Sequence, residues 1–238
     1  MNLTKAKLKK RISHLLSLLF PRRCAFCGKS ALDDGFVCPD CLEKLPFVTG
    51  KLCPVCGREK KYCCCFANKS YAFIRCVSPF YYEDDARRSV IAFKFRKKEG
   101  NAAAFGYFAA EKIKKEYADI SFDTVTSVPL SHTEKRRRGY NQAELFASET
   151  AELIGVPYKE LLQKPSDIKL QRELDPESRW QNVKGAFKAE NACGTVLLVD
   201  DIITTGATLD CCARELLKAG AQKVYCVTIA CTRMRKRK

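Results

Sequence analysis

The chain has 238 residues, 46% of them hydrophobic and 29% charged, enough to bury a core in one large domain or two modest ones. Lys and Arg number 43 against 27 Asp and Glu, and the net charge of +16 favours polyanions or an anionic membrane surface as partners. No apolar run approaches the roughly 20 residues that span a bilayer, so the sequence predicts no transmembrane segment.

The first 21 residues predict a basic amphipathic arm, because apolar residues between Leu8 and Leu19 share one helix face with lysines opposite. Such an arm can lie on the anionic inner face of the membrane through residues 1–20, or pack its apolar stripe against the rest of the protein. The apolar stretch Leu15–Phe20 is too short for a cleavable signal. The expected location is therefore the cytoplasm, either at large or at the inner face of the membrane.

Fifteen cysteines, ten of them before Phe80 and mostly in C-x-x-C pairs, predict a zinc-binding module at residues 22–68 of a cytosolic protein. Disulfides are the alternative use of these cysteines. Four thiolates at knuckle spacing suit one tetrahedral zinc ion, and a site filled by cysteine alone is structural rather than catalytic. This first set consists of Cys24, Cys27, Cys38 and Cys41.

A second set begins with Cys53 and Cys56 and continues in the triplet 63–65. The first pair repeats the knuckle pattern, but the triplet leaves the partner sulfurs open. A second zinc would take two of the three, with Cys63 and Cys65 as candidates. Otherwise the triplet consists partly of free thiols.

Beyond the module, strand and helix patterns alternate over residues 69–232, followed by a basic tail at 233–238. Alternation at this length predicts an α/β fold with a mostly parallel sheet flanked by helices. Strands are expected at Tyr71–Tyr82, Asp123–Val128, Thr195–Val199 and Lys223–Ala230. Helices are expected at Asp84–Lys98, Asn101–Tyr117, Asn141–Ile154 and Thr208–Ala219.

A phosphate-binding segment follows the third predicted strand. The strand ends in Asp200 and Asp201, whose carboxylates can accept hydrogen bonds from the vicinal hydroxyls of a ribose. The next loop offers backbone N–H groups, hydroxyls and a helix N-terminus, which together suit a phosphate. Its candidate ligands are Thr204, Thr205, Gly206, Ala207 and Thr208. The alternative is an ordinary strand-to-helix turn with Thr208 as N-cap.

A turn and a basic run supply further anion candidates. Four cations stand at the predicted start of a helix, where the macrodipole disfavours them, so we expect a pyrophosphate or a nucleic-acid backbone to neutralise them. A solvated charged face is the alternative. The candidates are Pro129, Leu130, Lys94, Lys135, Arg136, Arg137 and Arg138.

The stretch from Asp200 to Thr208 resembles the phosphoribosyl pyrophosphate signature of type I phosphoribosyltransferases. With the paired C-x-x-C module, Phe93-Lys94-Phe95 and Arg138-Gly139-Tyr140-Asn141-Gln142, nearly the whole chain resembles the ComF family. The resemblance implies that the acidic pair holds the ribose hydroxyls, that Thr204–Thr208 hold the 5′-phosphate, and that Mg²⁺ accompanies the pyrophosphate.

Members of that family are cytosolic competence factors that handle single-stranded DNA during natural transformation. The resemblance therefore implies single-stranded DNA as a partner, together with a competence helicase or the membrane translocation machinery. The alternative function is an active phosphoribosyltransferase acting on an unidentified nucleophile. The cysteine triplet departs from a regular second C-x-x-C pair.

Overall fold

The computed structural model describes residues 23–31, 35–63, 65, 70–165 and 185–233. The predicted arm at 1–21, Cys64 and the tail beyond Arg233 lie outside these residues. No helix in the described ranges is long and apolar enough to cross a membrane.

Six α-helices and seven strands occur in the described residues. The helices are α1 (Pro39–Lys44), α2 (Asp84–Phe95), α3 (Asn101–Glu116), α4 (His132–Arg138), α5 (Gln142–Ile154) and α6 (Ala207–Lys218). The strands are β1 (Cys76–Val77), β2 (Phe80–Tyr81), β3 (Thr124–Ser127), β4 (Leu162–Gln163), β5 (Lys188–Ala189), β6 (Gly194–Ile203) and β7 (Ala221–Cys231).

The central sheet is parallel throughout, with strand order β1-β7-β6-β3 and β2 also pairing with β7. β6 and β7 lie in its middle and are apolar on both faces, as expected for a sheet covered on both sides. β4 and β5 form a separate antiparallel pair. The prediction of a mostly parallel sheet flanked by helices is confirmed.

Each face of the sheet buries its own apolar cluster. Helices α2, α3 and α5 cover one face, and the segment around Cys24 and Phe26 packs into the same cluster. Helix α6 covers the other face, with Phe73, Tyr81 and the partly buried Val55 packed there. The cysteine-rich segment therefore shares its apolar packing with the sheet, and the domain boundaries at 22–68 and 69–232 stay a prediction.

The strand expected at Tyr71–Tyr82 is confined to the short strands β1 and β2, and two expectations that bear on the candidate site are wrong. β6 was expected to end at Val199, but its parallel pairing with β7 continues to Ile203, so Asp200 and Asp201 lie inside the strand. The pairing with β7 satisfies backbone N–H and C=O groups of these residues, so the strand continues through its two acidic side chains.

The basic run does not begin a helix. It occupies the last turn of α4, which Ser131 and Glu134 start with a capping box and Gly139 ends at φ +87°. The macrodipole favours cations in that turn. The macrodipole therefore creates no need for a bound anion at these cations.

Candidate functional site

The carboxyl edge of the sheet brings the candidate phosphate residues together. Pro129 and Leu130 follow β3, and the N–H of Val128 donates to the carbonyl of Val199 at 2.9 Å. The chain therefore leaves β3 beside the acidic pair of β6, with the predicted phosphate loop directly after that strand. Parallel strands end at one edge, where open α/β sheets bind their ligands.

The acidic pair is only partly exposed. The Lys94 ammonium lies 2.7 Å from Oδ2 of Asp201, and both side chains are less than one-fifth exposed, at 18% and 17%. Oδ1 of Asp200 accepts a hydrogen bond from the backbone N–H of Asp201 at 2.8 Å. Burial, followed by the charge of Asp201, raises the pKa of Asp200 to about 8. This raised pKa favours the neutral form of Asp200, beside the ion pair of Lys94 and Asp201.

The phosphate loop presents free N–H donors. Gly206 is the N-cap residue and α6 begins at Ala207, so the alternative of an ordinary turn with Thr208 as N-cap does not hold. The N–H of Ala207 is satisfied by the hydroxyl of Thr205 at 3.3 Å. Within the described ranges, the N–H groups of Thr204, Thr205 and Gly206 have no acceptor. Such donors, at the positive end of a helix, form an anion site.

Gly206 is required for a reason that the sequence did not supply. Its φ is +82°, and a Cβ at this position would lie 2.9 Å from Cε1 of Tyr71. The Tyr71 hydroxyl donates to the carbonyl of Thr205 at 3.1 Å. The aromatic ring therefore packs directly against Gly206, and this packing excludes a side chain there in addition to any role of the glycine toward a phosphate.

Three polar residues that the sequence analysis did not assign individually hold the site in place. Asn141 donates to the carbonyl of Val128 at 3.1 Å, and Gln142 donates to the carbonyl of Lys94 at 3.3 Å. The Tyr140 hydroxyl donates to the carbonyl of Phe93. Both amides are almost fully buried. A glycine followed by an N-cap residue type, here Gly139 and Asn141, is the sequence signal that could have drawn attention to this turn.

The basic run points mostly to solvent. Lys135, Arg136 and Arg137 are exposed, and Lys135 pairs with Glu144 at 3.1 Å. Arg138 is turned inward, where it donates to Oε1 of Gln142 at 2.8 Å. The assignment of these cations to pyrophosphate or nucleic acid stays a prediction.

Both predicted sets of cysteines converge into compact clusters. The sulfur atoms of each set lie within 4.8 Å of one another; the sets are Cys24, Cys27, Cys38, Cys41 and Cys53, Cys56, Cys63, Cys65. Individual sulfur pairs are 3.6, 3.8 and 3.7 Å apart. A tetrahedron with Zn–S bonds of about 2.3 Å has edges of about 3.8 Å. The spacing fits one structural zinc in each cluster, and among the described residues Cys63 and Cys65 join Cys53 and Cys56 in the second.

The second cluster is also electrostatically suited to a cation. A hydrogen bond from the Cys65 thiol, assisted by Arg58, lowers the pKa of Cys56 to about 4. The same contact raises the pKa of Cys65. A bound metal ion displaces such thiol protons.

A basic cleft of about 820 Å³ lies between the first cluster and the connection from α2 to α3. The backbone around Ala25 and Gly28 forms one wall, and Phe36 lines it as well. Its charged side chains are Arg23, Arg88, Arg96, Lys97, Lys98 and Glu99. The cleft therefore carries five cations against one carboxylate, a charge pattern that suits a polyanion.

Comparisons with known proteins agree with this architecture. Residues 15–72 match the family described as double zinc ribbon domain, and residues 141–238 match the phosphoribosyl transferase domain. The chain is 30% identical to Competence protein ComFC of Bacillus subtilis over 197 residues, which covers 79% of this chain and 80% of the relative.

Two further relatives extend the match. Competence protein F of Haemophilus influenzae is 27% identical over 219 residues, covering 86% of this chain and 95% of the relative. DNA utilization protein YhgH of Salmonella typhimurium is 27% identical over 212 residues, which covers 86% of this chain and 88% of the relative. The predicted combination of a small N-terminal zinc-ribbon-like module and a phosphoribosyltransferase-type α/β domain is confirmed, and the module matches a double zinc ribbon.

Proposed function

Because this chain belongs to the ComF family, we propose that it binds single-stranded DNA during natural transformation and holds a phosphoribosyl pyrophosphate-type ligand at its sheet edge. The names of its relatives support a role in competence and DNA utilization. Zinc is structural and holds the cysteine-rich segment in its folded form.

The phosphate loop is the observation that carries the ligand proposal. Its free N–H groups suit the 5′-phosphate, and the acidic pair of β6 suits the ribose hydroxyls. The pyrophosphate then lies toward Pro129 and Leu130, with Lys94 close by. Mg²⁺ would be held chiefly by ligand oxygens and water, as is usual for this ion with phosphates.

Asp201→Ala tests the ligand proposal. We expect the affinity for phosphoribosyl pyrophosphate with Mg²⁺, measured by isothermal titration calorimetry, to fall about 10-fold or more, because hydrogen bonds to a charged group are lost. Zinc content should stay unchanged, since Asp201 touches neither cluster. Asp119→Ala removes an exposed carboxylate elsewhere and serves as the matched control. Unaltered affinity in Asp201→Ala would refute the role of the carboxylates.

The basic cleft carries the DNA proposal. Arg96, Lys97 and Lys98 are exposed at its rim and can neutralise successive phosphates. Phe36 lines the cleft, with its ring centroid 6.1 Å from that of Tyr107, which is 45% exposed. Cations interleaved with accessible rings suit a strand whose bases are unpaired, because bases stack on such rings without sequence preference.

Removing the three rim cations tests this proposal. In the variant Arg96→Ala, Lys97→Ala, Lys98→Ala, we expect the slope of log K against log salt to become shallower by about 2, since each phosphate contact to a single strand contributes about 0.7. Fluorescence anisotropy with an oligonucleotide measures it. The matched control removes three exposed cations elsewhere: Lys114→Ala, Lys115→Ala, Lys218→Ala. Equal slopes in the two variants would exclude the cleft.

The alternative function is an active phosphoribosyltransferase, which would use the phosphate loop and the acidic pair at the sheet edge as its substrate site. If the protein releases pyrophosphate over many turnovers with a candidate nucleophile, the site is catalytic and does not only bind the ligand.

We expect the protein to work in the cytoplasm at the inner face of the membrane, beside a competence helicase or the translocation machinery. Pull-down of that machinery with the full chain tests the placement.

A further inference from the structure

Arg58 joins the second cysteine cluster to the phosphate loop. Its side chain is only 4% exposed. Nη2 donates to the carbonyl of Ile203 at 3.0 Å and to that of Thr204 at 2.5 Å, and Nε donates to the carbonyl of Thr232 at 2.7 Å. One buried guanidinium therefore fixes the end of β6, the first residue of the loop and the end of β7.

The second knuckle determines where Arg58 stands. The N–H of Cys53 donates to the carbonyl of Arg58 at 2.7 Å, and the N–H of Gly57 donates to the carbonyl of Cys53 at 3.1 Å. These two bonds fix the backbone of Arg58 within the knuckle. The knuckle is also docked tightly on β1, since a Cβ on Gly57 would lie 2.2 Å from the carbonyl oxygen of Cys76. A metal-stapled turn of this kind keeps its form only with the metal bound.

Tyr71 provides a second contact to the loop. Its hydroxyl donates to Thr205, as described above, and the adjacent Ala72 N–H donates to Oδ1 of Asp210 in the first turn of α6 at 2.6 Å. The chain that follows the second cluster is thus fastened to both the loop and the helix behind it.

The first cluster has different neighbours. Ser89 of α2 and Asn101 of α3 both donate to the carbonyl of Ala25, at 2.6 and 3.1 Å. Among the described residues, nothing from the first cluster bonds to residues 203–208. The first cluster lines the basic cleft, whereas the second supports the phosphate loop.

We propose that the two zinc sites serve different ligands: metal at the second cluster preorganises the phosphate loop through Arg58, and metal at the first does not. The inference rests on the phosphoribosyl ligand proposed above. When the metal at the second cluster is lost, Arg58 no longer holds the phosphate loop in one conformation. The phosphoribosyl ligand must then order the loop when it binds. Affinity falls because that ordering opposes binding.

Cys63→Ser and Cys27→Ser form a matched pair, since each removes one ligand at an accessible position of one cluster. We expect each variant to lose one zinc ion by metal analysis. Affinity for phosphoribosyl pyrophosphate should fall about 10-fold or more in Cys63→Ser and stay within about twofold in Cys27→Ser. Equal losses in both variants, or full affinity in Cys63→Ser, would overturn the proposal.

Arg58→Lys separates the guanidinium from the metal. A lysine keeps the charge but cannot donate to three carbonyls in a fork. We expect two zinc ions to remain and affinity to fall about 10-fold. Affinity equal to that of the wild type would show that Arg58 is not the positioning residue.

Hydrogen exchange provides a measurement that needs no ligand. The N–H groups of Asp210 and Thr232 donate to the carbonyls of Gly206 and Ile203, at 2.8 and 3.1 Å. Their exchange should accelerate in Cys63→Ser and stay unchanged in Cys27→Ser. If the wild type fails to bind phosphoribosyl pyrophosphate, the proposed function is lost, while exchange still decides whether the second cluster supports the loop.

Discussion

Asp200 is expected to destabilise the unliganded protein, and more so as pH rises. Burial raises the pKa of its carboxyl from the ordinary 3.8 to about 8. The unfolded chain therefore releases this proton at lower pH than the folded chain. Folding stability is lost as pH rises from about 4 through about 8, where the folded carboxyl finally ionises. Asp200→Asn removes the titration and keeps the shape, so the variant should be the more stable protein at alkaline pH.

The size of the effect follows from the pKa difference. Each pKa unit corresponds to about 1.4 kcal/mol. The two units between about pH 6 and the folded pKa set an upper limit of roughly 3 kcal/mol, and water at the partly exposed carboxyl relieves some of it. We expect the stability advantage of Asp200→Asn to grow by about 2 kcal/mol between about pH 6 and about pH 9.

Urea unfolding with linear extrapolation, in zinc-containing buffer without phosphoribosyl ligand, measures this difference. Asp119→Asn, which changes an exposed carboxyl, is the control and should show no such growth. A constant difference between wild type and Asp200→Asn over this range would refute the reasoning. If the stability advantage of Asp200→Asn increases with pH and this variant also binds the phosphoribosyl ligand more weakly, the Asp200 carboxyl serves binding at the expense of stability.

Two further variants test the packing of the second knuckle and of the core. Gly57→Ala should lower the free energy of unfolding by more than about 3 kcal/mol, because its Cβ would meet the carbonyl of Cys76. The control Gly28→Ala, which has open space around it, should lower the free energy of unfolding by about 1 kcal/mol, and similar losses in the two variants would contradict the packing. Tyr117→Phe removes a buried hydroxyl that donates to the carbonyl of Cys226 at 2.9 Å. Urea unfolding should show that the free energy of unfolding falls by about 1–3 kcal/mol. An unchanged free energy of unfolding would mean that water replaces the hydrogen bond.

The regular elements were largely predictable because their signals are local. Apolar periodicity identified the helices from Asp84 to Phe95 and from Asn101 to Glu116 to within three residues. The chain path between Ser131 and Gln142 was not predicted. A capping box begins the additional helix α4, a left-handed glycine ends it, and the basic run lies in its last turn.

The site was predictable as a set of residues but not as an arrangement. Sequence identified Asp200, Asp201 and the loop after them, since that motif is contiguous. It did not show that Lys94, far away in the chain, pairs with Asp201. It also gave no reason to single out Arg58, because a buried arginine is recognised only by the carbonyl groups around it.

The sequence by itself determined the zinc knuckles, the parallel α/β sheet and the phosphate loop, because each depends on spacings of a few residues and on local backbone chemistry. Only the tertiary structure decided that the described Cys63 and Cys65 come within reach of Cys53 and Cys56, which face of the sheet each cluster packs against, and where the basic cleft opens. Those features depend on contacts between segments distant in the chain, and such contacts form only when the whole core is buried together.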